Sequence, residues 1–167
     1  IAWSIEIALK SKYVDRCIVS TDDKEIAATA EKYGADVPFM RPKELATAES
    51  TGNSVIKHAI LHLQDLNQLY KYTILLEPTS PLTETSDVDA ALEKLIDNRK
   101  IADAIVGCSK VEYAHPVYDA RINKKGLIEP YIGKFFKNYR RQDIEDLFYI
   151  DGSLYISDSN KFIEKES

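Results

Sequence analysis

Three stretches of this chain carry hydroxyls, amide donors and cations at spacings that could hold a ligand. The first is "EPTSP", Glu77 to Pro81. Pro78 and Pro81 remove two backbone donors, fix two φ angles and push the residues before them into extended backbone, so that Thr79 and Ser80 are held out as hydroxyl donors. A loop ordered by folding in this way gives up little further entropy on binding. The plainer reading of the same residues is that the prolines end a strand and precede a helix capped by Thr85 or Ser86.

The second stretch is "RPKELATAESTGNS", where Arg41 precedes a proline and Ser50, Thr51 and Gly52 open a helix. A helix N-terminus offers amide donors and the positive end of a dipole, and a glycine lets a planar or anionic group come close. An arginine beside such donors suits a nucleotide; the plainer alternative is a surface arginine and a helix cap. The third is "KFFKNYRRQD", in which Lys134, Lys137, Arg140 and Arg141 put four cations within eight positions. Such a cluster can grip a carboxylate or phosphate, arginines doing so bidentately. It can equally be a solvated patch paired with Asp143, Glu145 and Asp146. His58 and His62 are four apart on a helix, but no third ligand stands at metal-site spacing, so no metal ligand is assigned.

The elements that would position these residues alternate between β-rich runs and helical periods, the pattern of an α/β domain with a mainly parallel sheet. Residues 1–11 predict a helix and "RCIVS" (16–20) a strand. A helix follows, with Asp22 as N-cap, Glu25 three residues on and Gly34 at its left-handed end. "VPFM" (37–40) predicts a strand, and "TGNSVIKHAILHLQDL" a long helix turning Val55, Ile56, Ala59, Ile60, Leu63 and Leu66 inward. "YTILLE" (72–77) is the most apolar strand, followed by a helix over 86–98. "DAIVGCS" (103–109) is a further strand. After it come short strands and turns rich in Tyr, Lys and Asn up to about Ile150, then "GSLYIS" and a short helix from Asp158. In a doubly wound sheet the ligand lies beyond the C-terminal ends of the strands. The informative loops are therefore Ser20 to Asp23, Met40 to Gly52, Glu77 to Thr85 and Ser109 to Tyr118. The 110–150 region reads as an inserted lid or interface, its Tyr113, Tyr118, Tyr131, Phe135, Phe136 and Tyr139 being apt for contact with a second copy.

The chain of 167 residues is 44% hydrophobic and 29% charged, enough apolar material for one domain. Its net charge of -5 argues against nucleic-acid binding through the overall field, which needs a basic surface. Cys17 and Cys108 sit in apolar runs without metal-site spacing and read as small core residues in a reducing compartment, which favours the cytoplasm. No apolar run reaches membrane-spanning length and no signal-peptide pattern is present. The chain opens at Ile1, without methionine, directly in a helical pattern, and this predicts that sequence precedes it.

Taken together, "STDD", "RPKELA", "LLEPTSPL", "RRQD" and "DGSLYI" resemble the acylneuraminate cytidylyltransferase family, which makes CMP-sialic acid and related CMP-nonulosonates. The resemblance implies a Rossmann-like three-layer α/β/α domain with a small inserted β-rich dimerisation or lid segment. It also implies CMP transfer from CTP to the anomeric hydroxyl of a nonulosonic acid, with Mg²⁺ assisting and pyrophosphate leaving; the aromatic 110–150 segment adds the expectation of a homodimer. Arg41, Ser50 and Gly52 match positions that line the cytosine. Glu77, Thr79, Ser80, Tyr118, Arg140, Arg141 and Tyr155 match or adjoin positions at the sugar, with Arg141 meeting its carboxylate. The departures are Glu77 for a glutamine, Thr83 for an arginine, Tyr118 where some members have lysine, and Asp151 before Gly152 where an asparagine is commoner. A carboxylate at 77 suits a sugar with extra N–H or O–H donors, such as a diamino nonulosonate. The family's triphosphate loop would precede Ile1 and its metal-binding aspartates would follow Ser167, so no catalytic residue is assigned within the chain. Two alternatives stand beside the enzyme: a non-catalytic nucleotide-binding, sugar-binding or dimerisation module, and a nucleotidyltransferase for another sugar acid.

Overall fold

The computed structural model describes residues 1–112, 115–133 and 140–165, apart from the side chain of Arg141. Its helices are α1 (Ala2–Lys10), α2 (Lys24–Lys32), α3 (Gly52–Asp65), α4 (Thr85–Asp97) and α5 (Ser159–Lys165). Its strands are β1 (Tyr72–Leu75), β2 (Ala104–Lys110), β3 (Ala120–Ile122), β4 (Ile128–Pro130) and β5 (Phe148–Asp158). Two compact units divide the chain, one of residues 1–107 and 152–167, the other of residues 108–151.

In the first unit the clearest match between apolar spacing and burial is in α4. Val88, Leu92 and Leu95 of α4 stand three or four apart, so they share one side of the helix and pack on Leu154 and Ile156 of β5. A second cluster joins Ile5 of α1 to Ala30 of α2 and Ala35, flanked by Cys17, Val19 and Val37. Helix α4 starts one residue earlier than the sequence suggests. Its N-cap is Glu84 rather than Thr85 or Ser86, and the Asp87 carboxylate accepts the Glu84 N–H at 2.9 Å, half of a capping box. Likewise Asp23, not Asp22, caps α2, its carboxylate accepting from the N–H groups of Glu25 at 2.7 Å and Ile26 at 2.9 Å. Gly34 does take the left-handed turn after α2, at φ +92°. Leu66, expected inward, is exposed; it is the C-cap of α3, just past the last helical residue, Asp65.

The sheet departs most from expectation. β5 lies between β1 and β2, and it runs antiparallel to β1, with Leu75 opposite Tyr155 and Tyr72 opposite Asp158. The two predicted parallel strands at 16–20 and 37–40 form only isolated parallel bridges, Ile18 with Asp36 and Thr21 with Met40. Pro38 explains the gap. Asp36 N–H donates to the Cys17 carbonyl and Val19 N–H to the Asp36 carbonyl, each at 2.9 Å, but Pro38 has no N–H for the next rung. Pairing resumes only when Arg41 N–H meets the Thr21 carbonyl at 2.8 Å. At 11 residues β5 is the longest strand described, and it supplies partners to both neighbours.

In the second unit β3 and β4 form an antiparallel hairpin with Ile122 opposite Ile128. Cys108, on the alternating strand β2, is exposed rather than in the core. No disulfide joins it to Cys17, whose thiol is pushed up from its usual pKa by burial and then by the Asp36 charge. Among the described residues no helix is long and apolar enough to cross a membrane.

Candidate functional site

Arg41 follows directly from the parallel bridges, which bring the segments ending at Thr21 and Met40 side by side. Its guanidinium turns back onto Ser20, Nε donating to Oγ at 3.2 Å and Nη2 to the Ser20 carbonyl. Thr21 is buried, and it steadies the turn by accepting Asp23 N–H on Oγ1 at 3.1 Å. The arginine is thus half-buried and anchored, which a surface arginine would not be.

Between Arg41 and α3 the chain makes a 3-10 turn, Lys43–Leu45, and a loop closed by Ser50. The Ser50 hydroxyl donates to the Glu44 carbonyl at 3.1 Å and accepts Thr47 N–H at 3.3 Å. Ser50 therefore shapes this loop from within. Thr51 caps α3, its Oγ1 accepting Ser54 N–H at 3.2 Å. A Cβ built on Gly52 would meet nothing within 4 Å, so no protein atom demands a glycine at this helix start.

The stiff loop after β1 is two overlapping turns. Ser80 N–H donates to the Glu77 carbonyl at 3.2 Å, and the Ser80 carbonyl accepts from Thr83 N–H at 3.3 Å and Thr83 Oγ1 at 3.1 Å. The Thr79 hydroxyl, expected to point outward, donates to Glu77 Oε2 at 3.2 Å. Glu77 is half-buried, and its carboxylate faces β5, where a Cβ on Gly152 would come within 3.7 Å of Oε2. Gly152 has φ +78°, so glycine is favoured there by the backbone as well. Tyr155, three residues on, is half-buried in β5 opposite Leu75. The structure therefore brings together Glu77, Thr79 and the backbone of Ser80 and Gly152.

Tyr118 and Arg140 belong to the second unit. Tyr118 ends a 3-10 turn, Pro116–Tyr118, and lines a cleft with Lys110, His115, Gln142 and Glu145. His115 holds this wall, its Nδ1 accepting Val117 N–H at 3.2 Å. Arg140 grips Asp143 through two bonds of 2.9 and 3.2 Å. That is the surface-pair reading of the cation cluster, and with the Arg140 side chain 73% exposed such a pair contributes little. Asp143 N–H also donates to the Arg140 carbonyl at 2.9 Å. Arg141 opens the 3-10 turn Arg141–Asp143, while its side chain, with Lys134, Lys137, Tyr113, Phe135, Phe136 and Tyr139, lies outside the described residues. Asp151 accepts from Ser109 Oγ at 2.6 Å.

Among the described residues no three His, Cys, Asp or Glu side chains gather as a metal site. The rings of His58 and His62 lie 6.2 Å apart, and both pack against Phe39, at 4.7 and 4.6 Å between ring centroids. Sequence reasoning passed over Ser20, although it named the loop from Ser20 to Asp23 as informative.

The family model described as cytidylyltransferase matches residues 1–155. The chain belongs to the cytidylyltransferase family. Pseudaminic acid cytidylyltransferase of Campylobacter jejuni serotype O:2 is 32% identical to this cytidylyltransferase over 167 residues, 99% of this chain and 70% of that protein. CMP-N,N'-diacetyllegionaminic acid synthase of Legionella pneumophila is 29% identical over 168 residues, 100% of this chain and 70% of that protein. Among solved structures, CMP:2-keto-3-deoxy-manno-octonic acid synthetase complexed with CTP superposes with a TM-score of 0.69 at 14% identity. That match covers 99% of this chain and 66% of the other, and at so low an identity it speaks for the α/β fold alone.

Proposed function

We propose that this cytidylyltransferase holds the cytosine and the sugar acid in the transfer of CMP from CTP to a nonulosonic acid. The anomeric hydroxyl oxygen attacks the α-phosphorus, the bond to the bridging oxygen breaks, and pyrophosphate leaves with the electron pair while the hydroxyl proton is released. What carries the reading is the match, over 99% and 100% of the chain, to two proteins named for joining CMP to such acids. Arg41 and the start of α3 take the base in this reading. Glu77, Thr79, Ser80, Tyr155, Tyr118 and the arginines at 140 and 141 take the sugar acid.

The anchoring of Arg41 supports the first assignment, since a base reader must be held in one geometry. The position of Glu77 supports the second. It stands just beyond the end of β1, already accepts from one hydroxyl, and retains acceptor capacity for a donor-rich sugar. A sugar with two acylamino groups supplies such donors. Mg²⁺ would neutralise the triphosphate; the described residues offer no ligand set for it.

We further read the unit of residues 108–151 as the interface of a homodimer. Its hairpin leaves Ile122 76% and Ile128 64% exposed, and apolar surface of this kind marks association. Cytoplasmic placement rests on the two thiols, which suit a reducing compartment.

The deciding assay gives the full-length protein CTP with sialic, legionaminic or pseudaminic acid and measures pyrophosphate and CMP-sugar. Turnover with a diamino sugar at the highest kcat/KM is expected. CTP binding without turnover of any of the three would favour the non-catalytic module.

A further inference from the structure

We propose that Ser20 is a positioning residue that sets the base selectivity of this site by fixing which edge of the Arg41 guanidinium is presented. The inference rests on the reading of Arg41 as the base contact. A guanidinium has five N–H donors in a planar fork. Nε and Nη2 form one edge of that fork, and Ser20 occupies it with two acceptors, the hydroxyl at 3.2 Å from Nε and the main-chain carbonyl on Nη2. Of the three N–H groups left, one of Nη1 and the second of Nη2 stand side by side on the adjacent, end-on edge of the fork, two parallel donors not used by Ser20.

Two adjacent donors match two adjacent acceptors. Cytosine presents such a pair in O2 and N3, whereas N3 of uracil carries a proton and would set donor against donor. A site with an unpaired or opposed polar group rejects the wrong partner more strongly than one that only lacks contact. An arginine left to rotate could offer a single N–H to O2 of either base, so selectivity depends on the anchor. The anchor is built from two sides. Arg41 N–H is fixed to the Thr21 carbonyl at 2.8 Å, and Thr21 itself is buried, so the backbones of residues 20 and 41 hold a set separation.

The test compares wild type, Ser20→Ala, Ser20→Thr, Arg41→Ala and Arg41→Lys in the full-length enzyme, with CTP and UTP as alternative nucleotides. Ser20→Ala removes one of the two acceptors, so kcat/KM for CTP should fall roughly three- to tenfold, mostly through KM. The preference for CTP over UTP should narrow by a similar factor. The KM for the nonulosonic acid and the melting temperature should barely move. Ser20→Thr, which keeps the hydroxyl, should recover most of the preference, and Arg41→Lys, which has no fork, should not. An unchanged CTP preference in Ser20→Ala, while Arg41→Ala loses it, would overturn the role of Ser20 alone. If Arg41→Ala leaves the KM for CTP untouched, the base-site reading falls and the role of Ser20 falls with it.

Discussion

At the scale of single residues, the proposed sugar-acid site is tested most directly at Glu77 and Arg141. Glu77 holds its carboxylate beside Gly152 and accepts the Thr79 hydroxyl, which uses only part of its acceptor capacity. Glu77→Gln replaces an acceptor by a group that also donates, which should shift preference toward sialic acid. The shift should appear in the ratio of kcat/KM between a diamino sugar and sialic acid, with CTP affinity nearly constant. A lower melting temperature with an unchanged ratio would make Glu77 a structural residue of the loop. The Arg140 guanidinium holds Asp143, and the proposed contact with the substrate carboxylate is assigned to Arg141. A charge-assisted bond to the substrate carboxylate contributes about 1.5–3 kcal/mol, so Arg141→Ala should weaken the sugar acid by that amount and leave CTP alone. Equal losses for both substrates would refute the assignment.

At the scale of elements, the caps decide where the helices begin and hence where the loops between them are aimed. Asp23 satisfies two amides at the start of α2, while Asp22 is exposed beside it. Asp23→Ala should therefore cost about 1 kcal/mol of stability and Asp22→Ala almost nothing, a difference read directly from urea unfolding. The turn from Thr21 to Asp23 lies next to Ser20, so the same pair of variants tells whether this cap also steadies Arg41. If it does, Asp23→Ala alone should raise the KM for CTP.

At the scale of the whole molecule, the end of β5 is tied to the start of β1 by Lys71 and Asp158. Burial pushes the Asp158 carboxyl up, but the Lys71 ammonium and the N–H groups of Lys161 and Asn160 outweigh it and hold the carboxyl below its usual value of 3.8. The folded state then binds this proton less readily than the unfolded chain. The contribution to stability is present at pH above the unfolded value and fades as pH falls through the lower folded one. The melting temperatures of wild type and Asp158→Asn should differ at pH 7 and converge below about pH 4. A constant gap would place the effect elsewhere. Association belongs to the same scale. Sedimentation of the full-length protein should give a dimer, and Ile122→Lys should shift it toward monomer while leaving the first unit's melting unchanged, whereas a dimer indifferent to this change would move the interface off the hairpin.

What the sequence by itself determined is local. The apolar period of "TGNSVIKHAILHLQDL" marked Ile60 and Leu63 as buried, Gly34 marked a left-handed turn, and the paired prolines of "EPTSP" marked a stiff loop, because each depends on residues within a turn or two of one another. The family, too, was legible in its short motifs. The tertiary structure alone decided the sheet. Nothing in the alternation of "GSLYIS" says that its neighbours are 80 residues upstream on one side, where Leu75 meets Tyr155, and β2 on the other. Periodicity tells which face of a strand is covered and is silent on which strand lies beside it or in which direction. For the same reason Cys108 could be placed in an apolar run but not on its exposed side, and Thr79 in a loop but not with its hydroxyl turned to Glu77. Ser20 and Arg41 are 21 positions apart, and only the parallel bridge that Pro38 interrupts brings the hydroxyl and carbonyl of one under the guanidinium of the other.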